Sequence, residues 1–227
     1  MKVKVKFLSH SGYFIETDKH IIVFDYIKGD LPQLDKTSLF VYSHSHQDHF
    51  SREILGLKGD VRFLLSSDIK EDLKLPFQDN VYYIGPDAKR VVGDVHLTTF
   101  GSTDKGISIF ASVDNVGIFH SGDLNLWIWD EDSEDERLEM TRAFREEVKK
   151  VQLKNVDIAM FPLDPRLGRY ASSGIDYFVD LIRPAYIFPM HMWEDFSISQ
   201  KYKESFSSSF TKFVSVDHDN QEFIIEV

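Results

Sequence analysis

The chain has 227 residues, 42% of them hydrophobic, which is enough to bury a sizeable core, and is expected to form one domain over 1–227. Its formal net charge of −11 argues against a nucleic-acid binder, whose affinity rests on Lys and Arg neutralising phosphates, and points to a small-molecule partner. The absence of cysteine excludes disulfides, thiol nucleophiles, thiolate zinc sites and iron–sulfur clusters, so any metal must be held by nitrogen and oxygen.

The N-terminal run MKVKVKFL alternates Lys with apolar residues at period two, so it reads as a strand over 3–8 and not as the continuous apolar core of a signal peptide. No run reaches membrane-spanning length, so no membrane insertion and a cytoplasmic protein are expected. Further strands are predicted at 13–17, 20–25, 39–43, 61–66, 81–84, 95–100, 107–113 and 117–120, punctuated by Gly, Asp and Asn. Short helices are expected at 52–57, with Ser51 as N-cap, and at 68–75. The longest helix is predicted over 134–153, where Leu138, Thr141, Phe144, Val148 and Val151 recur at helical spacing between an acidic start and a basic end. Beyond it the pattern predicts a strand at 156–161, a helix at 175–182, a strand at 186–189, a helix at 200–210 and strands at 213–216 and 223–226. Two strand-rich halves, each carrying helices, favour two packed sheets flanked by helices over a doubly wound parallel sheet.

The stretch SHSHQDHF at 43–50 follows a buried strand directly, in the loop position where side chains converge on a ligand. His44 and His46 sit two apart and face the same way in an extended segment; Asp48 and His49 follow in a turn, placed to serve a second centre. Imidazole is the commonest biological metal ligand, and carboxylate is the hard partner that helps polarise a bound water. The bland alternative, a polar turn with scattered histidines, fits this density of ligand types poorly.

HSHQDH resembles the His-x-His-x-Asp-His motif of the metallo-β-lactamase superfamily. The resemblance implies an α+β fold, the four-layer αββα sandwich, and hydrolysis of esters, amides or phosphodiesters with one or two metals. Further landmarks fall in order along the chain. Asp25, ending HIIVFD, resembles the aspartate that supports the metal loop, although a strand-end turn aspartate reads the same way; Asp123 in GIFHSGD matches the aspartate that bridges two metals; and His191 in YIFPMHM matches the final histidine, a ligand of the second metal. Where many relatives carry Gly-His-Thr, this chain has TTFGSTDKG, which aligns Ser102 with the third histidine of the first metal. Asp104, His120 and His10 (in FLSHSGYFIE, similar to a histidine near the active site of lactonase-like and phospholipase-like branches) are the candidates to replace it or to stand behind the ligands through hydrogen bonds. The runs FGSTDKGISI, FHSGDLNLWIW, FPLDPRLG and PMHMWED resemble a little-studied bacterial branch of metal-dependent hydrolases.

The resemblance implies one or two divalent metals, zinc first by family prevalence and manganese or iron if oxygens outnumber imidazoles. Asp48 is then the catalytic residue, orienting or deprotonating the attacking water. Trp127, Trp129 and Trp193 follow Asp123 and His191 closely, as an aromatic wall of a substrate site or as core filling. Asp164, Arg166 and Arg169 occupy a strand-exit loop; Asp164 and Arg166 are candidate substrate contacts, and the arginines can fork onto a carboxylate or phosphate or pair with surplus acidic residues. The acidic run DEDSEDE at 130–136 reads as a solvated helix start or a flap. Two functions stay open: hydrolysis of an ester, lactone, amide or phosphodiester of a small molecule, and a non-catalytic metal- or ligand-binding module with a degenerate first site.

Overall fold

A computed structural model describes residues 1–227. The first half of the chain forms β1 (Lys2–Ser9), β2 (Gly12–Glu16), β3 (His20–Phe24), β4 (Thr37–Tyr42), β5 (Val61–Ser66), α1 (Ser67–Leu73) and β6 (Val81–Ile84). The remainder forms β7 (Lys89–Val92), β8 (Val95–Phe100), β9 (Ser108–Val113), β10 (Val116–His120), α2 (Glu134–Val151), β11 (Ile158–Pro162), α3 (Ser173–Ile182), β12 (Tyr186–Met190), α4 (Ser197–Ser205), β13 (Lys212–Phe213) and β14 (Glu222–Glu226). The strands make two seven-stranded sheets, ordered β14-β1-β2-β3-β4-β5-β6 and β13-β12-β11-β10-β9-β8-β7.

Both sheets change character at their centre. In the first, β14, β1, β2 and β3 pair antiparallel and β3, β4, β5 and β6 parallel. In the second, β7 to β10 pair antiparallel and β10 to β13 parallel. Side chains alternate between faces as a strand's period of two requires. In β2, Tyr13 and Ile15 join the 27 buried side chains of the core that includes both sheets, whereas Phe14 joins a separate cluster with Phe40, Phe63, Ile54 and Ile69. A third cluster packs Phe144, Val148 and Val151 of α2 with Ile175, Phe178 and Val179 of α3 against Phe119, Phe161 and Ile187 of the second sheet. The layers are therefore αββα, as expected. No helix is long and apolar enough to cross a membrane.

Some expected elements differ locally. The piece expected as a helix at 52–57 is a 3-10 turn, Arg52–Gly56, and the Ser51 side chain does not cap it. The last helix lies earlier than its apolar pattern suggested, at Ser197–Ser205. A second 3-10 turn, Pro165–Tyr170, and the short strand β7 had no sequence signal strong enough to place them. In α2, Ser133 accepts from Glu136 N while the Glu136 side chain reaches back to Ser133 N, a reciprocal cap that accounts for the sharp helix start.

Candidate metal centre

Six loops that leave strand C-termini supply the centre. His10 follows β1, Asp25 follows β3, the His44 to His49 loop follows β4, Asp123 follows β10, Asp164 follows β11 and His191 follows β12. Three of these residues, His10 (φ 49), Asp25 (φ 40) and His191 (φ 63), adopt left-handed backbone, which non-glycine residues take at a cost of about 1–3 kcal/mol each. Each turns the chain out of its strand at once and aims a polar side chain into the shared space. Gly106 (φ +75) lets the β8–β9 connection close over the ligand loop, since a Cβ there would lie 2.1 Å from Ser43 O and 2.5 Å from His44 Cβ.

Two groups of donors result. His10, Asp48, His49 and His191 form one, and His44, His46 and Asp123 the other, with the ligand atoms of each within 4.8 Å of one another. Asp123 touches both: Oδ2 lies 3.3 Å from His44 Nε2, and Oδ1 lies 3.2 Å from His49 Nε2 and 3.6 Å from His191 Nε2. His10 Nε2 lies 3.4 Å from Asp48 Oδ2. Four buried atoms here, His10 Nε2, His44 Nε2, His49 Nε2 and Asp123 Oδ1, have no hydrogen-bond partner. Leaving such an atom unsatisfied costs about 1–3 kcal/mol, so a convergence of four calls for a cation.

The far nitrogens of the histidines are already engaged. Asp25, 1% exposed, accepts from Ser43 N (2.8 Å), Ser43 Oγ (2.6 Å) and His49 Nδ1 (2.8 Å). Because Ser43 Oγ donates to Asp25, it accepts from His44 Nδ1 at 2.9 Å. Asp25 thus fixes a proton on Nδ1 of both His44 and His49 and turns both Nε2 atoms toward the centre, where a metal would take the place of any Nε2 proton. Asp164 does the same for His191, whose Nδ1 donates to Oδ2 at 2.9 Å. Burial opposes charge on Asp123, yet His49, His44 and His191 hold its carboxyl well below the usual range. His49 is also disfavoured as a cation by burial, but Asp123 and Asp25 push it well above an ordinary imidazole. The His10 imidazole, 3.4 Å away, and the neighbouring His49 hold Asp48 below the usual carboxylate range against the opposing effect of burial.

Several expected site residues have other roles. His120 is fully buried, with Nε2 donating to Ser11 O (2.9 Å), Nδ1 accepting from Gly122 N (3.1 Å) and its ring stacked on Phe24, so it offers no lone pair to a metal. Ser102 Oγ accepts from Asp104 N in its own turn (3.2 Å), and Asp104 Oδ2 is exposed, 3.9 Å from the half-exposed His46. Neither joins the donor groups. Asp164, expected to meet substrate, is instead fully buried, taking Trp193 Nε1 (3.1 Å) and Arg166 as well as His191. Trp127 donates to Asp123 O (2.9 Å) and lies edge-on to His191, bracing the centre as well as lining a cavity of about 270 Å³ with Trp129, Met140, Arg166, Asp123 and His191. A second cavity of about 360 Å³ has His10, Asp48, Phe7, Met192, Trp193 and Phe196 in its wall. Arg169 pairs with Asp130 at the surface, 2.9 Å apart.

A two-sheet αββα sandwich with a histidine–aspartate cluster at the C-terminal ends of its strands defines a class of metal-centre proteins. The family described as a β-lactamase superfamily domain matches residues 4–191, and the chain belongs to it. A UPF0173 metal-dependent hydrolase of Nanoarchaeum equitans is 25% identical over 207 residues, covering 83% of each chain. One from Pyrococcus horikoshii is 25% identical over 212 residues, covering 83% of this chain and 84% of its own. Among solved structures, Igni18, a metallo hydrolase of the archaeon Ignicoccus hospitalis, superposes with a TM-score of 0.67 at 18% identity over 100% of both chains. The metallo-β-lactamase fold protein YhfI of Bacillus subtilis superposes with a TM-score of 0.61 at 13% identity, covering 98% of this chain and 99% of its own. At these identities the structural likeness speaks for the fold alone.

Proposed function

We propose that the protein is a metal-dependent hydrolase of a small molecule carrying an ester, lactone, amide or phosphodiester bond, and that its 227 residues work as one domain. The observation that carries this reading is the convergence of four unpartnered buried ligand atoms, three imidazole nitrogens and Asp123 Oδ1, on a space also flanked by Asp48 and His191. Neither sheet builds that space alone, since His10, His44, His46, Asp48 and His49 leave the first sheet and Asp123 and His191 the second.

His10, Asp48, His49 and His191 would hold one divalent ion and His44, His46 and Asp123 the other, Asp123 standing between the two groups with Oδ2 facing His44 and Oδ1 facing His49. His10 thereby enters as a direct ligand, and its group becomes the better furnished of the two. Zinc suits the imidazole-rich donor set, with manganese or iron as the alternatives. A divalent metal held there supplies Lewis acidity toward a carbonyl or phosphoryl oxygen and lowers the pKa of water. Asp48 borders the open cavity and stays ionised, which suits it to orient the attacking water; a carboxylate held so low is a weak base. Trp127 and Trp129 flank the other approach to His191 and give it an apolar wall.

A second reading, a binding module carrying one metal, is favoured by the half-exposed His46 and by Ser102, which is spent on its own turn. Elemental mass spectrometry on untagged protein separates the two, combined with a screen of ester, lactone and phosphodiester substrates on metal-loaded and chelator-treated samples. About two metals per chain and turnover lost in Asp48→Ala support the hydrolase. One metal per chain with no turnover supports the module, and turnover insensitive to chelation refutes both.

A further inference from the structure

We propose that Arg166 selects the substrate by gripping an oxyanion, a carboxylate or phosphoryl group, carried on an apolar planar body beside the metal centre. This rests on the hydrolase reading only for the reaction; the grip itself stands on the geometry around Arg166.

A guanidinium offers its donors in a rigid planar fork. Arg166 Nε donates to Asp164 Oδ1 and Oδ2 (3.0 and 3.1 Å) and Nη2 donates to Oδ2 (2.6 Å), so the side edge of the fork is fully used. Nη1 has no partner, and the end edge, with one N–H from Nη1 and one from Nη2, stays open. Two parallel N–H groups match the two oxygens of a carboxylate or a phosphoryl group. An arginine present only to neutralise Asp164 would need nothing beyond its side edge.

The open edge is also held still. The guanidinium carbon lies 4.2 Å from the Trp193 ring centroid and 5.9 Å from that of Trp129, and Trp193 is itself tied through Nε1 to Asp164. Stacking and the forked ion pair remove the rotamer freedom that a free arginine would lose on binding, so ligand capture costs less. Yet the side chain remains 45% exposed, so an incoming anion can reach it. In the cavity of about 270 Å³, Arg166 is the one side chain that is positive at any pH; Asp123 there is matched by His44, His49 and His191, and Asp104 is exposed. Trp127, Trp129 and Met140 provide apolar wall for the planar body. One face of the substrate is thus recognised as an anion and the rest as apolar surface, with His191 lining the same cavity.

The chain's only tryptophans are Trp127, Trp129 and Trp193, two lining this cavity and the third stacked on Arg166, so intrinsic fluorescence reports on the site directly. Benzoate, phenyl phosphate and the uncharged isostere benzamide are titrated into chelator-stripped and zinc-loaded protein. In the stripped protein the wild type is expected to bind benzoate or phenyl phosphate at least about tenfold more tightly than benzamide, and whichever anion binds better names the group. Arg166→Met is expected to erase the preference. Arg166→Lys, whose single ammonium is taken up by Asp164, is expected to erase it too while zinc per chain stays at the wild-type value. Equal binding of benzoate and benzamide, or a preference that survives in either variant, overturns the proposal; a preference appearing only with zinc and indifferent to Arg166 assigns the anion to the metal and overturns it as well. Failure of the chain to bind metal would sink the hydrolase reading while leaving the stripped-protein comparison to decide Arg166 by itself.

Discussion

Asp25→Asn tests the centre with the smallest change of shape. Asp25 Oδ1 accepts from Ser43 N at 2.8 Å, and Oδ2 accepts from Ser43 Oγ at 2.6 Å and His49 Nδ1 at 2.8 Å. An asparagine keeps the Ser43 N bond through its one oxygen and places its NH2 where Oδ2 was. That group faces the His49 Nδ1 proton, donor against donor, so His49 must move its proton to Nε2, the atom that faces Asp123. Ser43 Oγ also loses its acceptor, and the setting of His44 Nδ1 behind it is released. Losing the charge-assisted bond to His49 costs roughly 1.5–3 kcal/mol, or a fall in Tm of roughly 3–12 °C for a chain of this length. Metal affinity is expected to drop roughly 10–100-fold, the usual consequence of removing a carboxylate behind a ligating histidine. Titration of stripped protein with zinc against a chromophoric chelator reads the affinity, and scanning calorimetry reads the Tm. Zinc affinity within about twofold of wild type in a folded Asp25→Asn protein would reduce Asp25 to a turn residue at a strand end and refute the tautomer argument.

Four further outcomes are expected. His10→Ala lowers zinc affinity by at least the roughly 10–100-fold of an outer partner, and elemental analysis after dialysis shows up to one metal lost per chain. Gly106→Ala drives a methyl group to 2.1 Å from Ser43 O at a positive φ, destabilising the chain by roughly 2–4 kcal/mol in urea unfolding. Tyr13→Phe removes the 2.5 Å bond from Tyr13 Oη to Pro189 O that joins the two sheets two positions before His191; roughly 1–3 kcal/mol of stability is lost and zinc binding weakens by a measurable factor. Ser133→Ala removes the α2 cap at a cost of about 1 kcal/mol, read as a lower Tm with metal content unchanged.

The strands of the first half were legible because alternation in MKVKVKFL and the apolar runs before Asp25 and Ser43 match a sheet buried on one or both faces. β7 was not, because KRVV is a short edge strand with three exposed residues, and its charges read as loop. The His44 to His49 loop was legible because its ligands are adjacent in sequence. His10 stands far from them and reaches the centre only because a bulged β1–β2 pairing and a left-handed turn bring it beside His191, whose N–H bonds to its carbonyl. Asp164 misled for a related reason: beside Pro165 and Arg166 in a strand-exit loop it reads as a substrate contact, whereas its place at the end of an apolar run, like that of Asp25, was the signal of a buried brace.

That likeness reaches into the architecture. Asp25 leaves β3 and braces His44 and His49, which leave the parallel neighbour β4. Asp164 leaves β11 and braces His191, which leaves the parallel neighbour β12. Parallel strands end at the same edge one strand spacing apart, about 4.8 Å, which places a carboxylate turning out of one strand within reach of the imidazole turning out of the next. Antiparallel neighbours send their C-terminal ends to opposite edges and cannot repeat the arrangement. The switch from antiparallel to parallel pairing at β3 and at β10 therefore does chemical work in both sheets, since it creates the adjacent C-terminal ends on which a braced histidine depends.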